Sequence, residues 1–89
     1  MEQKYVNGWS VQDGGLYRRF QFRDFIEAFS FMTKVAFWAE KLAHHPTWTN
    51  TYHQVEIWLI THDFGHQTTE KDQALAEAIN KEYHRSTLD

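Results

Sequence analysis

The fold of this chain is constrained most strongly by residues 23–43, RDFIEAFSFMTKVAFWAEKLA. This run contains no glycine or proline, and its apolar residues recur at the spacing of an α-helix, so it predicts one long helix. Pro46 disfavours helical geometry at the residue before it, His45, and the helix is therefore expected to end near Ala43. It is the strongest element that the sequence predicts.

The apolar side chains of this helix form two adjacent stripes. One stripe consists of Phe25, Phe29, Met32, Ala36 and Ala39, and the other consists of Phe31, Val35, Trp38 and Leu42. Together they cover roughly half of the helix circumference, which is wider than the ~100° that packing on one sheet requires. We expect one stripe to pack on the chain's own sheet and the other to contact a second subunit. The alternative is a thick core under a curved sheet.

The segments around this helix predict a small antiparallel sheet and a second helix. Residues 6–11 and 16–22 flank Asp13-Gly14-Gly15, which tolerates positive φ in the tight turn of a β-hairpin. Residues 47–52, TWTNTY, are expected to form a turn or a short strand. Residues 53–62 alternate as a strand does, and residues 68–85 have helical periodicity. The strand carries Val55, Ile57 and Leu59 on one face and Glu56, Trp58, Ile60 and His62 on the other, and the buried stripe of the second helix is expected to be Ala74, Leu75, Ala78 and Ile79. The predicted order is β-β-α-β-α, an α+β fold with both helices on one face of the sheet.

Composition narrows the class of protein. The 89 residues suffice for one small domain, expected to span 1–89, and the absence of cysteine excludes both disulfides and thiolate metal sites. A net charge of −3 with no basic face argues against a nucleic-acid partner. No stretch approaches the ~20 apolar residues of a membrane span, and the N-terminus does not resemble a signal peptide, so a cytoplasmic protein is expected. Aromatic content of 17% is high for so short a chain and favours a homo-oligomer.

Three of the six histidines, His44, His45 and His62, fall within residues 40–63. Each taken alone is most simply a surface residue. As a metal site they would be unusual, because adjacent side chains diverge and the spacings typical of zinc sites are absent. As proton-transfer groups they fit better, since an imidazole can give and take a proton at neutral pH.

A cleft between the end of the long helix and the end of the strand would suit such chemistry. Glu40 lies one turn before His44 and is expected to orient it. Trp48 and Trp58 are expected to supply flat walls for an aromatic ring ligand. The chain has no evident nucleophile–base pair and no phosphate-binding loop, so its residues support a reaction that needs only proton movement, such as dehydration or tautomerisation.

Residues 40–62, EKLAHHPTWTNTYHQVEIWLITH, closely resemble the signature of the pterin-4a-carbinolamine dehydratases. That signature joins an acidic residue, a His-His-Pro, downstream aromatics, a distant histidine and an aspartate. Its counterparts here are Glu40, His44-His45-Pro46, Trp48, Tyr52, His62 and Asp72. The resemblance begins near Trp9 and covers nearly the whole chain.

The resemblance implies a four-stranded antiparallel sheet with two to three helices on one face, assembled into homodimers or homotetramers. It implies dehydration of 4a-hydroxytetrahydrobiopterin to quinonoid dihydropterin without metal or organic cofactor, with a functional link to an aromatic amino-acid hydroxylase. His44 and His62 would exchange protons with the 4a-hydroxyl and N5, and His45 would bind and orient the pterin. Asp72 would be an orienting acceptor, while Trp48 and Glu40 would line or support the pocket. The alternatives left open are a non-catalytic dimerisation module and a related pterin-binding enzyme of molybdopterin metabolism.

Overall fold

The computed structural model describes residues 6–60 and 70–86. Within them the chain forms four strands and two helices in the order β-β-α-β-β-α. The elements are β1 (Ser10–Gln12), β2 (Gly15–Gln21), α1 (Phe25–Lys41), β3 (Thr47–Thr51), β4 (Gln54–Leu59) and α2 (Glu70–Ser86). The order differs from the predicted one by a single strand, β3, which sequence reasoning had left as a turn or a short strand.

The strands form one antiparallel sheet in the order β1-β2-β4-β3, which confirms the predicted α+β class. Side chains on one face of β2 and β4 are fully or almost fully buried: Leu16, Phe20, Val55, Ile57 and Leu59. The ring of Phe20 lies 5.0 Å from that of Phe31 on α1 and 4.9 Å from that of Tyr83 on α2. Both helices therefore pack on the same face of the sheet, as predicted.

Helix α1 begins at an N-cap and leaves part of its apolar surface exposed. The carboxylate of Asp24 accepts a hydrogen bond from the backbone N–H of Glu27 at 2.8 Å, which satisfies one of the free donors of the first turn. The buried residues of the helix are Ala28, Phe31, Val35 and Ala39. In the stripe expected to contact a second subunit, Phe25 is 47% and Phe29 55% accessible, whereas Met32 is half-buried and Ala39 is buried. The neighbouring Ile26 and Phe37 are exposed as well.

The buried face of α2 differs from the predicted stripe at one residue. Leu75, Ala78 and Ile79 are buried as expected, but Ala74 is exposed and Ala76 is buried instead. Two acidic residues, Asp72 and Glu82, are also buried on this helix, and a prediction from apolar periodicity does not include them in the buried face. No helix in the described ranges is long and apolar enough to cross a membrane.

Candidate active site

The C-terminal end of α1 closes with a tight turn that determines where the two adjacent histidines go. The backbone N–H of Ala43 donates to the carbonyl of Glu40 at 3.2 Å, and that of His44 donates to the carbonyl of Ala39 at 3.0 Å. Ala43 has φ +54°, in the left-handed region. These two bonds and the left-handed residue form a Schellman motif, in which glycine is the usual occupant of the left-handed position. The chain thus leaves the helix at a sharp angle immediately before His44.

His44 turns inward and contacts Asp72. Its Nε2 lies 2.5 Å from Oδ1 of Asp72, which sits in the first turn of α2. The His44 side chain is 10% accessible, and that of Asp72 is fully buried. Because a carboxylate only accepts hydrogen bonds, Nε2 carries the proton in this contact. No described residue is hydrogen-bonded to Nδ1, the other ring nitrogen of His44.

The two helix ends that meet at this contact have complementary polarity. His44 follows the C-terminal end of α1, where free carbonyls concentrate partial negative charge, and Asp72 lies where free N–H groups of α2 concentrate partial positive charge. A cationic ring at His44 and a carboxylate at Asp72 are therefore each stabilised by the helix end beside it. The charges of such a pair and the partial charges of the two helix ends would therefore reinforce one another.

His45 turns outward and contacts Glu40. Its Nε2 lies 2.9 Å from Oε1 of Glu40, and both side chains are largely exposed. The sequence had predicted that Glu40 orients His44, and this was wrong. The prediction assumed that the helix continues through His44, whereas the helix ends at Lys41 and the left-handed turn rotates His44 away.

A cleft of about 280 Å³ adjoins this exposed pair. It is lined by Ala36, Ala39, Glu40, His45, Pro46 and Trp48. Trp48 belongs to β3 and pairs with Ile57, so its ring lies on the helix-facing side of the sheet. One wall is therefore aromatic, the α1 side is formed by small alanines, and the titratable groups of His45 and Glu40 stand at the rim. Sequence reasoning did not single out Ala36 and Ala39 as lining residues, because small residues on an apolar stripe indicate only packing.

Trp58 lies on the opposite face of the sheet and does not wall this cleft, so the prediction that it does was wrong. It pairs with Tyr17 and Thr47, its ring lies 5.2 Å from that of Tyr17, and its Nε1 donates to Gln12 at 2.9 Å. The relation of the two tryptophans depends on the β3–β4 register, which periodicity within a single strand does not reveal.

Among the residues that the structure describes, two groups away from the cleft have a shifted pKa. The Tyr17 hydroxyl donates to Glu56 at 2.7 Å, and this bond, together with burial and the charge of Glu56, raises the pKa of Tyr17. Burial lowers the pKa of Arg18, whose guanidinium donates to Oδ1 of Asn80 at 2.7 Å. These groups join strands to each other and to α2, and they are not among the residues that line the cleft.

Of the predicted site residues, His44 and Asp72 form one pair, while His45, Glu40 and Trp48 gather at the cleft. His62 lies outside the described residues. Within 6–60 and 70–86, no three His, Cys, Asp or Glu side chains converge in a way that could hold a metal ion.

Residues 1–82 match the family model described as pterin 4 alpha carbinolamine dehydratase. A protein of Prochlorococcus marinus (strain MIT 9312) with the provisional name pterin-4-alpha-carbinolamine dehydratase is 53% identical over 76 residues, covering 85% of this chain and 78% of that protein. A protein of Synechococcus sp. (strain WH7803) with the same provisional name is 50% identical over 72 residues, covering 81% and 76%.

The fold also resembles solved structures. A transcriptional coactivator/pterin dehydratase from Brucella melitensis superposes with a TM-score of 0.83 at 40% identity, covering 88% of this chain and 84% of that one. A pterin dehydratase-like RuBisCO assembly factor of the alpha-carboxysome shares the fold, with a TM-score of 0.69 at 21% identity, covering 84% and 86%. The family match over most of the chain and the identities of 50% and 53% show that this chain belongs to the pterin-4a-carbinolamine dehydratase family.

Proposed function

We propose that this protein dehydrates 4a-hydroxytetrahydrobiopterin to quinonoid dihydropterin by histidine acid–base catalysis. The observation that carries the proposal is the buried contact between His44 and Asp72, next in the chain to a histidine that lines a cleft with one aromatic wall. A buried imidazole that is hydrogen-bonded to a carboxylate can exchange protons readily, because the carboxylate stabilises the ring when it becomes positively charged. Membership of the family supplies the pterin as substrate.

The reaction removes the hydroxyl group from C4a and the proton from N5, which leave together as water. The pterin ring gains a double bond between C4a and N5. A general acid must protonate the departing hydroxyl, and a general base must accept the N5 proton. We assign these two proton exchanges to His44 and His62. For His44, the hydrogen bond from Nε2 to Asp72 makes Nδ1 the atom that transfers the proton.

His45 and Trp48 bind the ring in this proposal. The indole supplies a flat apolar surface for a bicyclic aromatic ligand, and His45 supplies a hydrogen bond at the rim of the cleft. Glu40 fixes the orientation of His45 through the 2.9 Å contact. The physiological role that follows is recycling of tetrahydropterin in the cytoplasm after an aromatic amino-acid hydroxylase has used it.

The direct test is a dehydration assay on freshly generated 4a-hydroxytetrahydropterin. We expect the wild type to exceed the spontaneous rate, and His45→Ala and His62→Ala to lose most of that excess. His84→Ala is the control, because it removes an exposed imidazole from the last turn of α2, away from the proposed chemistry. A wild-type rate equal to the spontaneous rate would refute the enzymatic proposal.

We also propose that the exposed stripe of α1 is a contact between copies of this chain in a homodimer or homotetramer. Four large apolar side chains of this helix are exposed: Phe25, Ile26, Phe29 and Phe37. This is a large exposed apolar surface for an 89-residue protein. In analytical ultracentrifugation at micromolar concentration we expect an oligomer that Phe29→Glu dissociates. Ala74→Glu places the same charge on an exposed apolar residue of α2 and should leave the oligomer intact. A monomeric wild type would refute this assignment.

A second candidate function is a non-catalytic interaction module, which the same exposed stripe favours. The similar Brucella melitensis protein is described as a transcriptional coactivator as well as a pterin dehydratase. The two functions separate in the dehydration assay, because an interaction module would give no rate above the spontaneous one.

A further inference from the structure

We propose that Ala43 is a positioning residue, whose left-handed backbone sends His44 and His45 to opposite sides of the chain. The expected effect of Ala43 on the reaction rate rests on the proposed function. Its effect on the position of the His44 ring can be tested whether or not the protein is active.

Ala43 holds a conformation that alanine seldom adopts. Its φ of +54° brings Cβ close to the following carbonyl, which costs roughly 1–2 kcal/mol for an L-residue, whereas glycine adopts it freely. Two backbone hydrogen bonds hold the strained turn, from Ala43 to Glu40 and from His44 to Ala39. The chain therefore keeps an unfavourable local conformation at the residue directly before its two proposed functional histidines.

The left-handed turn accounts for the different surroundings of two consecutive side chains. His44 is buried against Asp72 at 2.5 Å, while His45 is exposed beside Glu40 at 2.9 Å. If Ala43 were right-handed, the helix would continue and both rings would project from its surface about 100° apart. His44 would then leave the first turn of α2, and its contact with Asp72 would be lost.

Substitutions at Ala43 are expected to act mainly through the backbone, because its side chain is exposed. Glycine and asparagine both tolerate the left-handed region, so Ala43→Gly and Ala43→Asn should preserve the turn. A β-branched residue is a severe outlier there, so Ala43→Val should abandon it. Ala43→Thr is a second β-branched variant in case Ala43→Val does not fold.

Asp13 supplies a matched control for strain alone. It has φ +55°, it is exposed, and it lies in the turn between β1 and β2. Strand β1 occupies the edge of the sheet opposite β3, which carries Trp48. Asp13→Val therefore imposes the same backbone penalty far from the cleft.

The experiment combines a structural and a kinetic measurement. The structural one is the NMR signal of the His44 imidazole N–H, assigned by its absence in His44→Ala, which should exchange slowly with water because Asp72 holds it in a buried site. We expect the signal in the wild type, Ala43→Gly, Ala43→Asn and Asp13→Val, and its loss in Ala43→Val. We expect kcat/KM to fall at least about tenfold in Ala43→Val relative to Asp13→Val, since small misplacement of a catalytic group is costly. Ala43→Gly and Ala43→Asn should retain the wild-type rate.

Two results would overturn the proposal: an N–H signal that persists in Ala43→Val or Ala43→Thr, or a kcat/KM in these variants within twofold of that of Asp13→Val. A wild type without activity above the spontaneous rate would refute the proposed function. The N–H signal alone would then decide whether Ala43 positions His44.

Discussion

Replacing Asp72 by asparagine tests the proposed role of the buried pair most directly. The change keeps the shape of the side chain and leaves an oxygen that can accept from Nε2 of His44, but it removes the negative charge. A hydrogen bond to a charged group contributes about 1.5–3 kcal/mol, against about 0.5–1.5 kcal/mol for a neutral one, so about 1–1.5 kcal/mol of stabilisation is lost when the ring is cationic. Because about 1.4 kcal/mol corresponds to a factor of ten in rate, kcat/KM should fall about tenfold in the dehydration assay.

Glu82→Gln is the matched control for this experiment. Glu82 is also a buried carboxylate on α2, and it accepts from Nε1 of Trp38 on α1 at 2.9 Å. Because each variant exchanges a charged hydrogen-bond acceptor for a neutral one, both should lose about 1 kcal/mol in urea unfolding. Only Asp72→Asn should lose activity. In a His44→Ala background, Asp72→Asn should have no further effect on the rate. An Asp72→Asn rate within twofold of wild type, or an equal loss in Glu82→Gln, would refute the reasoning.

Three further predictions concern the sheet, the core and metal dependence. The raised pKa of Tyr17 means that the folded state prefers the neutral phenol. Its contribution to stability is fully present below the ordinary pKa of about 10 and is lost as the pH rises through the raised value. In urea unfolding between about pH 9 and pH 11, the wild type should therefore lose more stability than Tyr17→Phe. Phe31 is fully buried, and Phe31→Ala should cost about 3–5 kcal/mol in the same assay, whereas a loss under about 1 kcal/mol would contradict the packing. EDTA should leave the dehydration rate unchanged, because the rings of His44 and His45 bond to separate carboxylates rather than converging; inhibition that zinc reverses would contradict this.

Local periodicity predicted the elements that repeat over many residues. The helix predicted over 23–43 is present as Phe25–Lys41, since apolar spacing and the N-cap are properties of neighbouring residues. The segment TWTNT was predicted only as a turn or a short strand, because five residues give too short an alternation to distinguish the two. Its identity as β3 is established by pairing with β4, a contact between separate segments that no single window contains.

The candidate site was predicted less completely, because its geometry depends on breaks in periodicity. The pairing of Glu40 with His44 followed the i,i+4 rule, which holds only while the helix continues. The sequence around Ala43 does not indicate a left-handed residue, because glycine or asparagine usually occupies that position of such a turn and alanine occupies it here. Asp72 was identified as a site residue by family resemblance alone. Its contact with His44 joins residues 28 positions apart and depends on how α1 and α2 pack.

On a regular helix, adjacent histidines would project about 100° apart, and the helix alone would set the angle between the two rings. At a left-handed helix end they are separated, and the fold assigns a different partner to each: a buried carboxylate at the N-terminal end of α2 for His44, and an exposed one at the rim of the cleft for His45. A strand would also send consecutive side chains to opposite faces, but it would not provide the negative end of a helix beside them. The His-His pair thus gains from its position after α1 both the separation of the two rings and an electrostatic environment that stabilises a positive charge on His44.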